Sequence, residues 1–344
     1  MNKKILSVFL LSLSVLIPAS FAGLRDLSCG YDIMGYGIRV WNLATKSESF
    51  GNFQLYLSNI EFVYAFLNYV VSRFSNDIHW FLFVHECIVM SLIVCAAFQC
   101  RKRFNSEYVF IYMCFYLYCM SFSMLRQSIA VGFVLLAATW IFDNQLRKSS
   151  FPISLACLSH NSSFFAILLY PFRIVVNKLY NKKLFLIMMM VIIGFIGFTF
   201  YAVILRWLMS VGLYSNHYEA YIGQVGFKTH KIDLALILGI IASLFLFVKK
   251  KNRVEPFFSY ALCLLVIAFI LNLYGSIVEI AVRVAHYFMV SLVVVLPLSA
   301  RQGGSRQKLE LATLFLLIIQ FTYLASLNGI ESAIPYKSPL LGIN

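Results

Sequence analysis

Apolar residues run through this chain in long blocks rather than in alternation. Blocks lie at 5–22, 79–99, 107–124, 128–142, 151–172, 184–205, 232–248, 256–274, 277–298 and 309–327, with short polar connectors between most of them. At 1.5 Å rise per residue most can span a hydrocarbon core of roughly 30 Å, with 128–142 on the short side. The pattern predicts an all-α fold, a polytopic helical bundle of roughly ten membrane segments forming a single transmembrane domain over 1–344. Two longer polar stretches, 23–77 and 206–231, predict outward-facing loops. In the first, Gly30, Gly35 and Gly37 permit tight turns. The apolar stretch 53–71 contains Gln54, Asn59, Glu61 and Asn68, which predicts an interfacial or pocket-lining helix rather than a spanning one.

Composition supports the membrane reading. Of the 344 residues 61 % are hydrophobic and 12 % charged, against about a quarter charged in a soluble domain. The net charge of +14 is gathered in connectors: Lys3–Lys4, Arg101–Arg103, Arg147–Lys148, Lys178–Lys183, Lys249–Arg253 and Arg301–Lys308. That placement is the positive-inside signature of a multi-pass membrane protein. It implies attraction to anionic lipid headgroups and argues against a nucleic-acid partner. The eight cysteines match neither a disulfide framework nor a zinc pattern, and Cys29 alone is placed on the outer side. The first apolar block has the charge and small residues of a cleavable signal, yet a retained helix is favoured because the rest of the chain is also membrane-embedded.

Counting crossings singles out one block. With Lys3 inside and 151–172 crossing once, the last three basic clusters fall outside. If 151–172 dips in and returns, every cluster falls inside, and the tail joins the outer face. "CLSHNSSFF" breaks that block with consecutive polar residues from Ser159 to Ser163. The prediction is a re-entrant or broken segment, with His160 at the break facing a wet cavity.

Three places carry candidate chemistry. In "SFSMLRQSIAVGF" (121–133), Arg126 stands in an apolar tract, near the expected apex of a hairpin over 107–142. An arginine at a helix centre costs roughly 2.5–3.5 kcal/mol, so it is either an interfacial snorkel or helix-end partner, or an anion site that grips phosphate through paired donors. In "IVEIAVRVAHYF" (277–288), Glu279 and Arg283 are one helical turn apart and can form an ion pair, followed by His286 and Tyr287. His160, with serines and an asparagine around it, is a plausible proton acceptor. Tyr214, Tyr218 and Tyr221 can stack on sugar faces or sit in an interfacial aromatic belt. No nucleotide-binding loop, HExxH or metal-ligand cluster is present, so no cofactor and no metal is predicted.

"LRDLSCGYDIMGY" (24–36), Glu61 before an apolar helix, "LRQSIAVGF" (125–133), "LSHNSSFF" (158–165), the tyrosine-rich outer loop and "RVAHYF" (283–288) resemble, in order, the EpsG-like branch of Wzy-type O-antigen and exopolysaccharide polymerases. The resemblance implies a bacterial inner-membrane glycosyltransferase that needs no nucleotide sugar. It would move a growing glycan from undecaprenyl pyrophosphate onto a lipid-linked repeat unit at the periplasmic face. Carried over by position, Arg126, His160 and Arg283 are the implied catalytic residues, with Arg25, Asp32, Tyr36 and Glu61 in support. Gln127, Tyr218, Glu279 and Tyr287 complete the candidate substrate-binding set. The base is left open between His160, Glu61 and Glu279. The implied partners are the undecaprenyl-pyrophosphate-linked oligosaccharide, membrane lipids and, optionally, a chain-length regulator. A flippase or transporter for the same lipid-linked sugar and an O-antigen ligase are the alternatives.

Overall fold

The computed structural model describes residues 3–57, 60–100, 117–179, 182–211, 237, 256–275, 279–292, 311, 314–316, 318–319, 322 and 334–343. Among them the chain is helical, without strands. The first part holds α1 (Lys3–Leu24), a π-helical turn (Ile33–Gly37) that runs into α2 (Ile38–Lys46), α3 (Phe50–Leu55), α4 (Phe62–Ser72) and α5 (Ile78–Cys100). Then come α6 (Cys119–Ser123), α7 (Leu125–Phe142), α8 (Leu146–Ser159), a 3-10 helix (Asn161–Leu168) and α9 (Leu169–Leu179). The later part holds α10 (Lys183–Thr199), α11 (Tyr201–Ser210), α12 (Pro256–Tyr274) and α13 (Glu279–Met289). Among the described residues, four helical stretches are long and apolar enough to cross a membrane: Ile5–Leu24, Ile78–Cys100, Leu125–Phe142 and Asn161–Leu179. The protein is an all-α, multi-pass membrane protein.

Several expected blocks appear as predicted, and others are redrawn. Residues 101–116, 212–236, 238–255, 276–278, 293–310 and most of 311–333 lie outside the described residues, and with them most of the expected blocks at 107–124, 232–248 and 309–327. The short block expected at 128–142 begins instead at Leu125, which lengthens it to 18 residues, about 27 Å. Helical geometry is interrupted at Met124 (φ −111°, ψ 64°), just before Arg126. The block at 151–172 is broken at His160, where α8 ends and a 3-10 helix begins. The region 23–37, expected as a loop with glycine turns, is helical from Ile33 onwards. Of Gly30, Gly35 and Gly37, Gly30 alone takes a positive φ, +118°, and a side chain there would collide with the Phe122 carbonyl.

The described chain divides into two compact units, residues 1–136, 154–160 and 316–344 in one, and 137–153 and 161–315 in the other. In the first, α1 lies along α5 closely enough that a Cβ on Gly23 would come within 2.9 Å of Phe83. His79 Nδ1 is 2.7 Å from the Gly23 carbonyl and donates to it. A core of Ile33, Val40, Trp41, Phe53, Tyr64, Phe81 and Leu125 joins the short helices to α5 and the start of α7. Burying each such large side chain stabilises by about 1.5–3 kcal/mol, and this overrides the turn preference of the glycine-containing segment. Residues 334–343 fold onto the end of α1. Asp26 N donates to Lys337 O at 2.8 Å, Tyr336 OH to Phe21 O at 2.8 Å and Ser338 Oγ to Leu24 O at 2.5 Å.

In the second unit α12 packs on α10 and α13, and Gly194 allows close approach of Ile270. Tyr260 OH donates to Leu169 O at 2.7 Å, and the Arg173 guanidinium lies 5.4 Å from the Tyr260 ring centre. Exposed apolar side chains such as Ile5, Val8 and Phe9 on α1 and Phe185, Met188 and Phe195 on α10 suit contact with lipid.

Candidate functional site

Asp32 and Tyr36 stand four residues apart on the turn that opens at Ile33, so their side chains share a face. Tyr36 OH donates to Asp32 Oδ2 at 2.5 Å, and the same oxygen accepts the Leu125 N–H at 3.1 Å. Leu125 is the first residue of α7, where backbone N–H groups have no partner within the helix. Asp32 therefore caps α7 from a distant part of the chain and sets a negative charge at its N-terminus. Desolvation and the Asp32 carboxylate raise the Tyr36 phenol well above its ordinary value of 10. It stays protonated and is available as donor and acceptor at once.

Arg126, one residue further on, closes the next link. Its Nε donates to Tyr36 OH at 3.1 Å, and the guanidinium carbon lies 4.5 Å from the centre of the Tyr36 ring. Its Nη1 donates to Glu61 Oε2 at 2.7 Å. Glu61 occupies the N-cap position of α4 but makes no capping bond there. Its second oxygen, Oε1, is 3.0 Å from His160 Nδ1. One carboxylate thus joins a guanidinium and an imidazole, and a continuous chain of hydrogen bonds runs Asp32–Tyr36–Arg126–Glu61–His160. The Arg126 side chain is 21 % exposed, against 6 % for Glu61 and 5 % for His160, so this chain of bonds reaches the protein surface through the arginine.

The geometry fixes what these groups can do. A carboxylate only accepts, so His160 donates from Nδ1, and the neutral ring then carries its lone pair on Nε2. That is the orientation and tautomer of a general base held by a carboxylate. Arg126 pairs with Glu61 through a charge-assisted bond while its side chain stays partly exposed. Glu61, remote in sequence, compensates the charge of Arg126.

Arg25 is buried in the first unit, its guanidinium carbon 4.0 Å from the centre of the Phe122 ring, and its Nε and Nη1 make no hydrogen bond to the described residues. Burial lowers its pKa to about 10, opposed chiefly by the charge of Glu86. Gln127 is buried on α7. Arg283 and Tyr287 belong to the second unit, on α13; Arg283 is partly buried, and the Tyr287 hydroxyl is 2.9 Å from Ser162 Oγ. Glu279 opens α13, but its side chain and all of Tyr218 lie outside the described residues.

Two buried groups on α5 were not picked out from the sequence. His85 and Glu86 are 0 % exposed; His85 Nε2 is 2.7 Å from Leu125 O, and Ser121 Oγ is 2.6 Å from Glu86 Oε2. Glu86 is the only Asp, Glu, Lys or Arg between Ile78 and Cys100. A lone charge in a spanning segment marks a functional or structural site by default, and that signal was present in the sequence.

The sequence model of the EpsG family matches residues 8–338. The chain belongs to the EpsG family. This places it in a glycosyltransferase-like polymerase family of polysaccharide biosynthesis. No curated protein and no solved structure matches this EpsG-family chain.

Proposed function

We propose that this EpsG-family protein extends a polysaccharide at the periplasmic face of the inner membrane. It transfers the growing glycan from undecaprenyl pyrophosphate to the terminal sugar hydroxyl of a lipid-linked repeat unit. The observation that carries this reading is the double engagement of Glu61, on Arg126 through one oxygen and on His160 through the other. His160 Nε2 takes the proton of the acceptor hydroxyl, whose oxygen attacks the anomeric carbon of the donor glycan. The bond from that carbon to the pyrophosphate oxygen breaks, and its electron pair leaves with the diphosphate. Arg126 stabilises the charge that develops there, a task for preorganised donors. The same reading assigns a diphosphate contact to Arg283 and sugar or diphosphate contacts to Gln127, Tyr218, Glu279 and Tyr287. Arg25, Asp32 and Tyr36 support Arg126.

Purified protein given defined undecaprenyl-pyrophosphate-linked repeat units provides the test. A ladder of increasing glycan length is expected from the unaltered protein, and none from Arg126→Ala or His160→Ala folded to the same extent. A single transfer would instead make the protein a ligase, and lipid movement without bond formation a transporter. Full chain extension by Arg126→Ala would overturn the residue assignment.

A further inference from the structure

Arg126 can act on a substrate only if the peptide that carries it is held still. Continuous helix does not hold it, because helical geometry fails at Met124 and α7 starts afresh at Leu125. The first turn of such a helix lacks intrahelical partners for its N–H groups. Two side chains from other elements meet Leu125 instead. Asp32 takes its N–H at 3.1 Å, and His85, on α5, approaches its carbonyl with Nε2 at 2.7 Å. That carbonyl belongs to the peptide whose nitrogen is Arg126 N. His85 therefore grips the same rigid plane from which the arginine side chain departs.

The grip is built to last. His85 is fully buried, and its ring lies 6.1 Å from that of Phe81. A carbonyl only accepts, so the imidazole carries hydrogen on Nε2. Ser128 Oγ, which donates to the same carbonyl at 3.1 Å, is 3.4 Å from that nitrogen. On its other side, Nδ1 is 4.0 Å from Glu86 Oε2 and makes no hydrogen bond among the described residues. These contacts bring His85 to the backbone beside Arg126 and to no side chain of the Glu61 cluster.

We infer that His85 is a positioning residue: through the Leu125 carbonyl it fixes the direction in which Arg126 meets Glu61 and the leaving group. The inference rests on the polymerase reading for its effect on rate, but not for its effect on Arg126. Misplacing a catalytic group by about 1 Å can cost on the order of a hundredfold in rate.

His85→Phe keeps a planar ring and removes the donor, whereas His85→Gln places an amide N–H close to the position of Nε2. Two readouts are taken on folded, monodisperse protein. The first is the rate at which phenylglyoxal modifies Arg126, followed by mass spectrometry. It is expected to rise severalfold in His85→Phe and to return towards the unaltered value in His85→Gln. The second is chain extension, expected to lose about ten- to a hundredfold in kcat with little change in KM, with most of it restored by His85→Gln. If His85→Phe does not fold, His85→Asn, which is too short to reach the carbonyl, takes its place with the same expectations. Unchanged Arg126 reactivity in the donor-less variant overturns the positioning role. If the reactivity rises while the unaltered protein extends no chains, the positioning role stands and the polymerase reading falls.

Discussion

The Glu61 cluster and the Arg25 cluster both bury ionisable groups in the first unit, and they are satisfied to very different degrees. Asp32, Tyr36, Arg126, Glu61 and His160 form an unbroken run of hydrogen bonds between 2.5 and 3.1 Å. In the other cluster, Arg25 Nε and Nη1, His85 Nδ1 and Glu86 Oε1 make no hydrogen bond to the described residues. Each buried polar atom left so costs about 1–3 kcal/mol. The first cluster is linked at every step and carries a partly exposed cation, Arg126, at its centre, as a working site requires. The second is compensated by charge and by the Phe122 ring face, and it acts on the first through backbone contacts at Leu125.

The comparison breaks most visibly at Glu61. Glu61→Gln keeps the size and shape of the side chain but gives it an N–H₂. To bond that group, His160 must accept at Nδ1 and move its hydrogen to Nε2, where it can no longer take a proton. Loss of the correct tautomer in a carboxylate-held histidine costs on the order of 10⁴ in turnover. We expect chain extension to fall by about 10³–10⁴ while folding is retained. A loss below about tenfold, measured on the purified variant, would remove His160 from the role of base.

How much of this was legible in the sequence depends on the range of the interaction. The ends of α1, α5 and α12 follow from unbroken apolar runs, and the break at His160 follows from polar residues crowded into one such run. Helix from Ile33 to Lys46 was not legible, because three glycines in 30–37 read as turns, while the deciding contacts come from Tyr64, Phe81 and Leu125. Arg126, Glu61, His160, Asp32 and Tyr36 were each marked as candidates. Their joining was not, since Glu61 is 65 residues from Arg126 and 99 from His160, far beyond any helical spacing rule. The group that answers Arg126 is a carboxylate that no local pattern links to it.

A milder cut separates hydrogen bonding from stacking within the Glu61 cluster. Tyr36→Phe removes the hydroxyl that serves both Asp32 and Arg126 but leaves the ring under the guanidinium. One charge-assisted bond is worth about 1.5–3 kcal/mol and the ring contact about 0.5–2 kcal/mol. Turnover should fall about ten- to a hundredfold in Tyr36→Phe and further in Tyr36→Ala. Equal losses in the two variants would mean that the ring contributes nothing.

The Arg25 and Glu86 charges are tested by stability rather than by rate. Arg25→Met leaves Glu86 buried without its cation, and Glu86→Gln leaves Arg25 without its carboxylate. Each single change should lower the thermal midpoint. The double variant should recover part of the loss, with a coupling of about 0.5–3 kcal/mol. Additive effects would show that the two charges do not compensate one another and that the ring of Phe122 alone accommodates Arg25.

The smallest expected effect concerns the segment that closes over the Arg25 loop. Tyr336→Phe deletes the bond to the Phe21 carbonyl but keeps the ring, whose centre lies 6.0 Å from that of Phe21 in an edge-on arrangement. A partly exposed neutral hydrogen bond contributes about 0.5–1.5 kcal/mol. The thermal midpoint should therefore drop by no more than a few degrees, with chain extension unchanged. Asp26 and Ser338 hold the same segment by separate bonds to Lys337 and Leu24, so no single contact decides its place. If Tyr336→Phe instead reduced turnover as strongly as Tyr36→Phe, the terminal segment would be controlling the Asp32 turn. The Arg25 cluster, through which that control would pass, would then belong to the working site rather than beside it.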